Sequence, residues 1–368
     1  MKHTFLATAA FGLEGVVANE LRRLGFDAKA EQGCARFSGE MTDAFRAQLC
    51  LRTADRVLLL LDEREVYTFE ELFTFASAIP WEHYISRDGM IHVTGKCVRS
   101  QLMSVRDCQS ITKKAIVNRL MKKLHVDRLP EKGARYPVDV SIYKDKARLT
   151  LDMSGDALNK RGYRTWNGEA PIRETLAAAL VDLSPWRSRM PLYDPCCGTG
   201  TLLVEAAIKA CGKPAGLNRS FICEDFFFMD KMELNAIREA ERDKFDSMPE
   251  LYISGSDIDE NALSLARKHI RQAGFQKQIQ VHQQDLRTLN VPGEPGVFLC
   301  NPPYGERLGD KKAAQALYKE MGLLLKRHPG WRMAVITSDF AFERCFGRRA
   351  TQKRRLYNGR LECEFYIF

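Results

Sequence analysis

The stretch at residues 194–201 reads Asp-Pro-Cys-Cys-Gly-Thr-Gly-Thr and follows directly after the apolar residues 191–193. This order is typical of a β-strand that turns through glycines into an α-helix. Glycines let the backbone approach a ligand closely, and the helix N-terminus behind them attracts polar or negative groups. The stretch therefore predicts the first strand of an α/β sheet and a ligand-binding turn at its end.

From residue 190 onward, apolar segments alternate with helical patterns, which predicts a doubly wound α/β sheet. The predicted strands are 191–193, 251–256, 279–282, 297–300 and 333–337, and the main predicted helices are 174–183, 260–273 and 311–326. The tail predicts a β-hairpin at residues 355–368, with Asn358-Gly359 as its two-residue turn. Residues 212–250 are too many for a simple strand–helix–strand connection, so we predict an insertion there.

The glycine turn itself distinguishes between two classes of cofactor. A dinucleotide-binding fingerprint has a third small residue three positions after the second glycine, and this chain has Leu203 there. Asp194 precedes the turn, and Thr201 follows the second glycine. Both features fit S-adenosylmethionine better than NAD.

Acidic residues follow the next two predicted strands. Asp257 is placed to accept hydrogen bonds from ribose hydroxyls, with Asp259 as the alternative if the strand is longer. Asp285 would reach the adenine amino group. Each acid alone could be a turn former or a helix cap. Acids at successive strand ends, all after the glycine turn, are a stronger indication of a nucleoside-binding site.

A second motif, Asn301-Pro302-Pro303-Tyr304, follows the predicted strand 297–300 at the edge of the sheet where ligands bind. The Asn301 side-chain oxygen and the Pro302 carbonyl can accept the two N–H bonds of an exocyclic base amine. The two prolines stiffen the loop, and Tyr304 offers a ring on which the base can stack. The alternative is a plain loop in which Pro-Pro ends a strand. Together with the glycine turn, the motif predicts methyl transfer to a nucleobase nitrogen.

The N-terminal half predicts two small α+β units, and the whole chain divides into residues 1–65, 66–160 and 161–368. In the first unit, a helical pattern ends at Gly25, with strands at 4–9, 35–38 and 57–61. In the second, strands at 90–95, 137–142 and 146–152 accompany a basic helix at 109–124. The positive face of that helix is either an ordinary solvated surface or a phosphate-binding one.

The net charge of +9 and the pI near 9.0 favour a polyanionic partner, although solubility alone can explain them. Cations and aromatics alternate in residues 159–166, which fits a surface that follows an RNA backbone and stacks on a base. The alternative is an ordinary basic linker. The predicted RNA-binding residues are Lys160, Arg161, Tyr163 and Arg164.

Several other protein classes are disfavoured by the sequence. The eleven cysteines are scattered and lack zinc-ligand spacing, which favours reduced thiols and no metal site. The N-terminal apolar residues are followed at once by charged ones, so a strand and a helix fit better than a signal peptide. No apolar stretch reaches membrane-spanning length. We therefore expect a cytoplasmic protein without a membrane segment.

Taken together, the motifs resemble THUMP-domain class I RNA methyltransferases, most nearly the guanine-N2 methyltransferases of large-subunit (23S) ribosomal RNA. The similarity extends over nearly the whole chain. The segments that carry it are 158–164, 170–176, 194–201, 216–221, 256–259 and 301–307. Some members of this group have a second methyltransferase domain, whereas this sequence predicts the form with one.

The resemblance implies a ferredoxin-like unit and an RNA-binding THUMP domain, followed by a Rossmann-like domain with a seven-stranded, mostly parallel sheet. It also implies S-adenosylmethionine as cofactor and RNA as partner. By position, the implied cofactor-binding residues are Thr175, Asp194, Pro195, Cys197, Gly198, Thr199, Gly200, Asp257, Ile258, Asp285 and Asn301. The implied catalytic residues are Asn301, Pro302, Pro303 and Tyr304.

Other functions remain open at this point. The RNA could be tRNA, because THUMP domains also occur in enzymes that modify tRNA. The Asn-Pro-Pro-Tyr motif alone is shared with adenine-N6 methyltransferases of DNA. A further alternative is a non-catalytic RNA-binding assembly factor with a vestigial cofactor fold. The intact motifs at the strand ends argue against this alternative.

Overall fold

A computed structural model describes residues 2–164, 172–245, 250–291, 293–305 and 310–368 of the chain. These residues form two seven-stranded sheets, one in the N-terminal half and one in the C-terminal half. The N-terminal sheet has one hydrophobic core, and the C-terminal sheet has a separate core on each of its faces.

The first sheet is mostly antiparallel, and its helices connect strands that are consecutive in the chain. Its strand order is β2-β3-β1-β4-β7-β6-β5, and among its pairs only β5 and β6 are parallel. The elements are β1 His3–Thr8, α1 Glu14–Arg23, β2 Ala28–Glu31, β3 Cys34–Gly39, α2 Met41–Cys50, β4 Arg56–Glu65, α3 Phe69–Ala78, β5 Met90–Val98, α4 Val105–Leu124, β6 Arg135–Tyr143 and β7 Lys146–Asp152.

The two α+β units predicted for the N-terminal half share this single sheet. Strand β4 of the first unit pairs with β7 of the second, with Leu59 opposite Leu151. Both side chains are buried in the same hydrophobic core. The two units therefore form one continuous structure, because their sheet edges are joined by backbone hydrogen bonds.

The second sheet has the order β10-β9-β8-β11-β12-β14-β13. The five strands from β10 to β12 are parallel, and β14 and β13 are added antiparallel at one edge. The elements are α5 Glu174–Leu183, β8 Leu192–Asp194, α6 Thr201–Cys211, α7 Lys231–Asp243, β9 Ile253–Asp257, α8 Glu260–Ala273, β10 Ile279–Gln283, β11 Val297–Cys300, α9 Asp310–Arg327, β12 Arg332–Thr337, α10 Phe342–Phe346, β13 Gln352–Asn358 and β14 Leu361–Ile367. This arrangement confirms the predicted mostly parallel, doubly wound sheet.

The C-terminal hairpin forms as predicted, but its turn is shifted by one residue. Asn358 still pairs with Leu361, so the two-residue turn consists of Gly359 and Arg360. Gly359 has φ +65°, a conformation that glycine adopts without steric cost. The predicted Asn358-Gly359 turn was wrong because the pairing register continues through Asn358.

The two halves of the chain interlock through their cores. Val16 of α1 and Leu13, which directly precedes this helix, belong to a core of the second sheet. Conversely, residues in the predicted insertion, among them Phe221 and Phe226, are buried in the core of the first sheet. Because each half buries apolar side chains of the other, separating them would expose both cores to water.

A buried ion-pair cluster reinforces this contact. Asp182 lies 2.9 Å from Arg52 of the N-terminal half and 3.0 Å from Lys209 of α6. Burial alone would raise the pKa of Asp182, but the two cations outweigh it and hold that pKa at about 2. The carboxylate therefore stays charged and links the two halves at neutral pH.

Two further observations concern the described residues alone. None of their helices combines the length and the hydropathy needed to cross a membrane. Within the same residues, no group of histidine, cysteine or acidic side chains is arranged to hold a metal ion.

Candidate active site

The glycine turn lies between β8 and α6, at the carboxyl edge of the second sheet. Gly198 and Gly200 have φ values of +51° and +80°, so both positions favour glycine. A Cβ at Gly198 would meet no described atom within 4 Å, whereas one at Gly200 would lie 3.3 Å from the Cβ of Ala266. Gly198 thus leaves open space above the turn, and Gly200 lets α6 and α8 pack closely.

Asp257, the last residue of β9, holds this turn in place. Its Oδ2 accepts a hydrogen bond from the Gly198 N–H at 2.8 Å, and its Oδ1 accepts one from the Asp259 N–H at 3.0 Å. A carboxylate offers about four acceptor positions, so positions remain for ribose hydroxyls. Asp259, the alternative, instead caps α8 by accepting from the Asn261 N–H at 2.9 Å. The geometry favours Asp257 as the ribose-binding acid.

Asp194 occupies the interior beside Asp257. It is 1% exposed, and it accepts a hydrogen bond from the Cys196 N–H at 3.1 Å. Burial raises the pKa of Asp194 to about 8, and the neighbouring charge of Asp257 adds to that rise. A buried acid with such a pKa is often part of a functional site.

The other residues predicted to bind the cofactor lie around the same edge. Pro195 and Cys197 are buried in the turn, and the Thr199 carbonyl lies 3.1 Å from Nδ1 of His269. Ile258 is 66% exposed, immediately after β9. An exposed apolar side chain at a strand end is suited to pack against a flat ligand ring.

Two of the predicted cofactor residues have protein partners that sequence reasoning did not foresee. Asp285 forms an ion pair with Arg287, two residues further along the chain. The Thr175 hydroxyl donates to Oδ1 of Asp55 at 2.9 Å and so joins α5 to the N-terminal half. Their contacts with a cofactor stay predictions.

The loop after β11 contains the Asn-Pro-Pro-Tyr motif. The Tyr304 hydroxyl donates to Oδ1 of Asn301 at 2.5 Å, and Asn358 lies 3.4 Å from the same hydroxyl. Burial raises the pKa of Tyr304 well above its usual value, so the hydroxyl stays protonated and able to donate. Pro302 is buried, whereas Pro303 is exposed. The structure thus shows Tyr304 orienting Asn301, and base stacking on its partly buried ring stays a prediction.

A residue that the sequence did not identify fixes this loop from the side. The hydroxyl of Tyr318, on α9, donates to the Pro303 carbonyl at 2.9 Å and lies 3.1 Å from the hydroxyl of Thr337. Thr337 ends β12, so Tyr318 ties the loop to the neighbouring strand. In the sequence, Tyr318 is one of several apolar residues at helical spacing, which gives no sign of this role.

The glycine turn and the Asn-Pro-Pro-Tyr loop adjoin each other. Strand β8 lies between β9 and β11, with Tyr193 opposite Phe298. The Cys300 thiol, next to Asn301, lies within hydrogen-bonding reach of the Asp194 carboxyl. The edge therefore places the glycine turn beside the loop that carries the Asn301 side chain.

The structure corrects the predicted RNA-binding strip at residues 160–164. Arg161 and Tyr163 are buried, at 4% and 3% exposure, and both contact the buried Glu205. Arg164 also turns inward, where it donates to the Thr201 hydroxyl at 2.8 Å. The prediction of surface RNA contacts was wrong for Arg161 and Tyr163, because these side chains form an internal polar network. Lys160, whose side chain is 63% exposed, can still reach a ligand.

Comparison with known protein families decides the class of this site. A family model described as "RMKL-like, methyltransferase domain" matches residues 161–367. The chain belongs to the RMKL-like methyltransferase family. Models of an RlmL ferredoxin-like domain and of a THUMP domain match residues 4–58 and 66–152. The family resemblance and the Rossmann-like fold predicted from the sequence are thereby confirmed.

Two curated relatives are similar over the whole chain. The "Putative RNA methyltransferase YpsC" of Bacillus subtilis (strain 168) is 43% identical over 100% of this chain and 96% of its own length. The "Ribosomal RNA large subunit methyltransferase K/L" of Syntrophotalea carbinolica is 33% identical over 99% of this chain and 53% of its own length. The chain thus spans about half the length of this second relative.

Two solved structures share the fold over the entire chain. A protein from Listeria monocytogenes, named as a predicted N6-adenine-specific DNA methylase, is 43% identical with a TM-score of 0.95, covering 100% of this chain and 96% of its own. The structure of "SMU.472, a putative methyltransferase complexed with SAH" is 39% identical with a TM-score of 0.95, covering 100% of this chain and 98% of its own. The predicted cofactor, S-adenosylmethionine, is confirmed, and the glycine turn and Asp257 fit it.

Proposed function

We propose that this protein methylates an exocyclic amine of an RNA base, namely guanine N2 of large-subunit (23S) ribosomal RNA. The observation that carries the proposal is the Asn301 side chain, which is fixed by Tyr304 beside the cofactor turn. Methyltransferase chemistry and S-adenosylmethionine follow from the family. The proposal adds the substrate and the atom that receives the methyl group.

The loop can make an unreactive amine reactive. The lone pair of an exocyclic amine is delocalised into the ring, so its nitrogen is a poor nucleophile. Oδ1 of Asn301 has two lone pairs, of which Tyr304 uses one, and the other can accept an N–H of the amine. The Pro302 carbonyl would accept the second N–H. Two fixed acceptors favour the pyramidal nitrogen that occurs near the transition state, and so they lower the barrier.

The cofactor, when bound, supplies an electrophilic methyl group on a positively charged sulfur. Transfer of this methyl group to the amine held by Asn301 and Pro302 would form an N–C bond in place of the C–S bond and would release S-adenosylhomocysteine. The nitrogen is then cationic, so its proton can pass to water without a strong base. What the chain contributes is position: Gly198 and Asp257 for the cofactor, Asn301 and Pro302 for the amine, and Tyr318 for the loop.

The choice of RNA is supported by the N-terminal half and by the relatives. A THUMP domain accompanies the methyltransferase domain, and two relatives are named for RNA or ribosomal RNA. The name of the Listeria protein favours a second candidate, adenine N6 of DNA. Adenine N6 is also an exocyclic amine, so the same loop would serve both reactions.

The test is transfer of labelled methyl groups to nucleic acid from cells that lack this gene. Ribosomal RNA, tRNA and genomic DNA are offered separately to the wild-type protein and to Asn301→Ala. We expect methylation of ribosomal RNA, with kcat lowered about 10²–10³-fold by the substitution because one preorganised contact is lost. Asn235→Ala, an exposed position on α7, is the matched control and should keep wild-type activity. Transfer to DNA alone would replace the proposal with the second candidate.

A further inference from the structure

A groove with a volume of about 930 Å³ runs between α9 and α10. Its floor depends on Gly322 of α9, because a Cβ at this position would lie 2.1 Å from the Phe346 carbonyl oxygen. Only glycine therefore lets α10 lie this close to α9. No role has been given to this groove by the motifs or by the cofactor site.

Four cations line the groove: Lys319, Lys326, Arg344 and Arg348. All four are exposed, and within the described part of the chain none of them has an ion pair or hydrogen-bond partner. No acidic residue is among the described lining residues. Exposed cations that line one groove make its electrostatic potential positive, which attracts an anion at low salt.

This charge pattern differs from that of the adjacent surface. Lys353 lies 2.7 Å from Glu343, and Arg355 pairs with Glu362 at 2.5 Å. Both of these cations have acidic partners, whereas the four groove cations have none among the described residues.

The groove begins near the candidate active site. Gln315, at one end, donates to Oδ2 of Asp339 at 3.0 Å, and Asp339 lies two residues after β12 ends. Tyr318, on the same helix, holds the catalytic loop. Lys319 and Lys326 are seven residues apart, which corresponds to roughly 10 Å along a helix at about 1.5 Å per residue. That length matches about three stacked nucleotides at about 3.4 Å each.

The groove also lies on the opposite face of the sheet from the N-terminal half. Val297 and Leu299 of β11 point into the core that contains Leu13. Phe298 and Cys300 point into the core formed with α9 and α10. A strand bound in the groove would therefore reach the catalytic edge from the side away from the THUMP domain.

We propose that this groove binds the phosphate backbone of the substrate RNA next to the target base. The inference rests on the proposed function, since it assigns a second RNA contact to the same enzyme. Lysine and arginine on phosphates supply most of the sequence-independent affinity for nucleic acid. The groove would thus fix the strand on one side of the catalytic loop while the base enters it.

The test compares the wild-type protein with the K319Q/K326Q/R344Q/R348Q variant. RNA affinity is measured by filter binding at several salt concentrations with S-adenosylhomocysteine present. If the four cations together neutralise the phosphates of about three nucleotides, the log–log salt slope should become smaller by about 2.1, at about 0.7 per phosphate. Affinity near 0.1 M salt should fall at least about tenfold, while cofactor affinity and kcat at saturating RNA stay at wild-type values.

A matched control removes four exposed cations elsewhere: Lys2, Lys29, Arg271 and Lys277. An equal loss of RNA affinity in this control would overturn the inference, since net charge alone would explain it. Wild-type RNA affinity and salt slope in the groove variant would also overturn the inference. In that case, methyl transfer to RNA by the wild-type protein would still support the proposed function. Absence of any transfer to RNA by the wild-type protein would overturn both.

Discussion

Replacement of Arg161 by alanine tests the corrected role of this residue. The Arg161 and Glu205 side chains are 2% and 0% exposed, and they lie 3.4 Å apart. The guanidinium also donates to the Leu158 carbonyl at 2.5 Å and to the Arg52 carbonyl. Arg161→Ala therefore removes the ion-pair partner of the buried Glu205 carboxyl, which keeps only the weaker influence of Arg52, and it leaves two carbonyls without this donor.

The expected cost follows from burial. Removing one partner of a buried ion pair typically costs about 3–5 kcal/mol of unfolding free energy, because the other charge stays uncompensated. Burial already raises the pKa of Glu205, and Arg161 opposes this effect. In the variant, Glu205 can take up a proton, which keeps the loss toward the lower end of that range. Lys160→Ala should cost only about 0–1 kcal/mol of unfolding free energy, because the Lys160 side chain is 63% exposed and its partner Asp156 is also exposed.

The assay is urea unfolding of the wild-type, Arg161→Ala and Lys160→Ala proteins at neutral pH. We expect the Arg161 variant to be less stable than the Lys160 variant by at least about 2 kcal/mol. The double substitution Arg161→Met with Glu205→Met should recover part of the loss, because no unpaired charge remains. Equal stability of the two single variants, with weakened RNA binding in the Arg161 variant alone, would refute this reasoning and restore a surface role.

Three further predictions concern the active-site edge. Asp257→Ala should weaken cofactor binding at least about tenfold in calorimetry, because the ribose contacts and the hydrogen bond to the Gly198 N–H are lost. Asp259→Ala should mainly lower the unfolding free energy, by about 1 kcal/mol, because it removes the cap of α8. Because the pKa of Asp194 is raised to about 8, the cofactor-free fold loses stability as pH rises from about 4 to about 8. Asp194→Asn should therefore raise the Tm more at pH 8 than at pH 5. Equal Tm shifts at the two pH values would contradict this prediction. Tyr318→Phe should lower kcat with little change in cofactor affinity, since it releases the Pro303 carbonyl.

The parts of the fold that could be predicted are those with a strong local signal. Helix α8 has the predicted bounds Glu260–Ala273, and β11 has the predicted bounds Val297–Cys300. Both have clear periodicity and clear ends, such as Gly274 at φ +84° after α8. Strand β2 was not predicted, because it has only 4 residues. Helix α2 was also not predicted, although at 10 residues it is as long as the predicted α5.

The site followed the same rule. Asp257 and Asn301 could be placed from sequence because Asp257 ends β9 and Asn301 directly follows β11, and the carboxyl ends of parallel strands share one edge. Arg161 and Tyr163 were misplaced because charge and aromaticity suggested a surface, whereas Glu205, their buried partner, is more than forty positions away in the sequence. A long-range pair of this kind gives no local signal. The same applies to Tyr318 and its contact with Pro303.

The central claim is that the Asn301 loop directs the methyl group to an exocyclic base amine. Mass spectrometry of nucleosides tests it most directly, after RNA that this enzyme has methylated in vitro is digested. The account predicts N2-methylguanosine in large-subunit RNA, formed at an initial rate about 10²–10³-fold lower with Asn301→Ala. A methyl group on a ring carbon or on a ribose hydroxyl would contradict it, since neither atom carries the two N–H bonds that Asn301 and Pro302 are placed to accept.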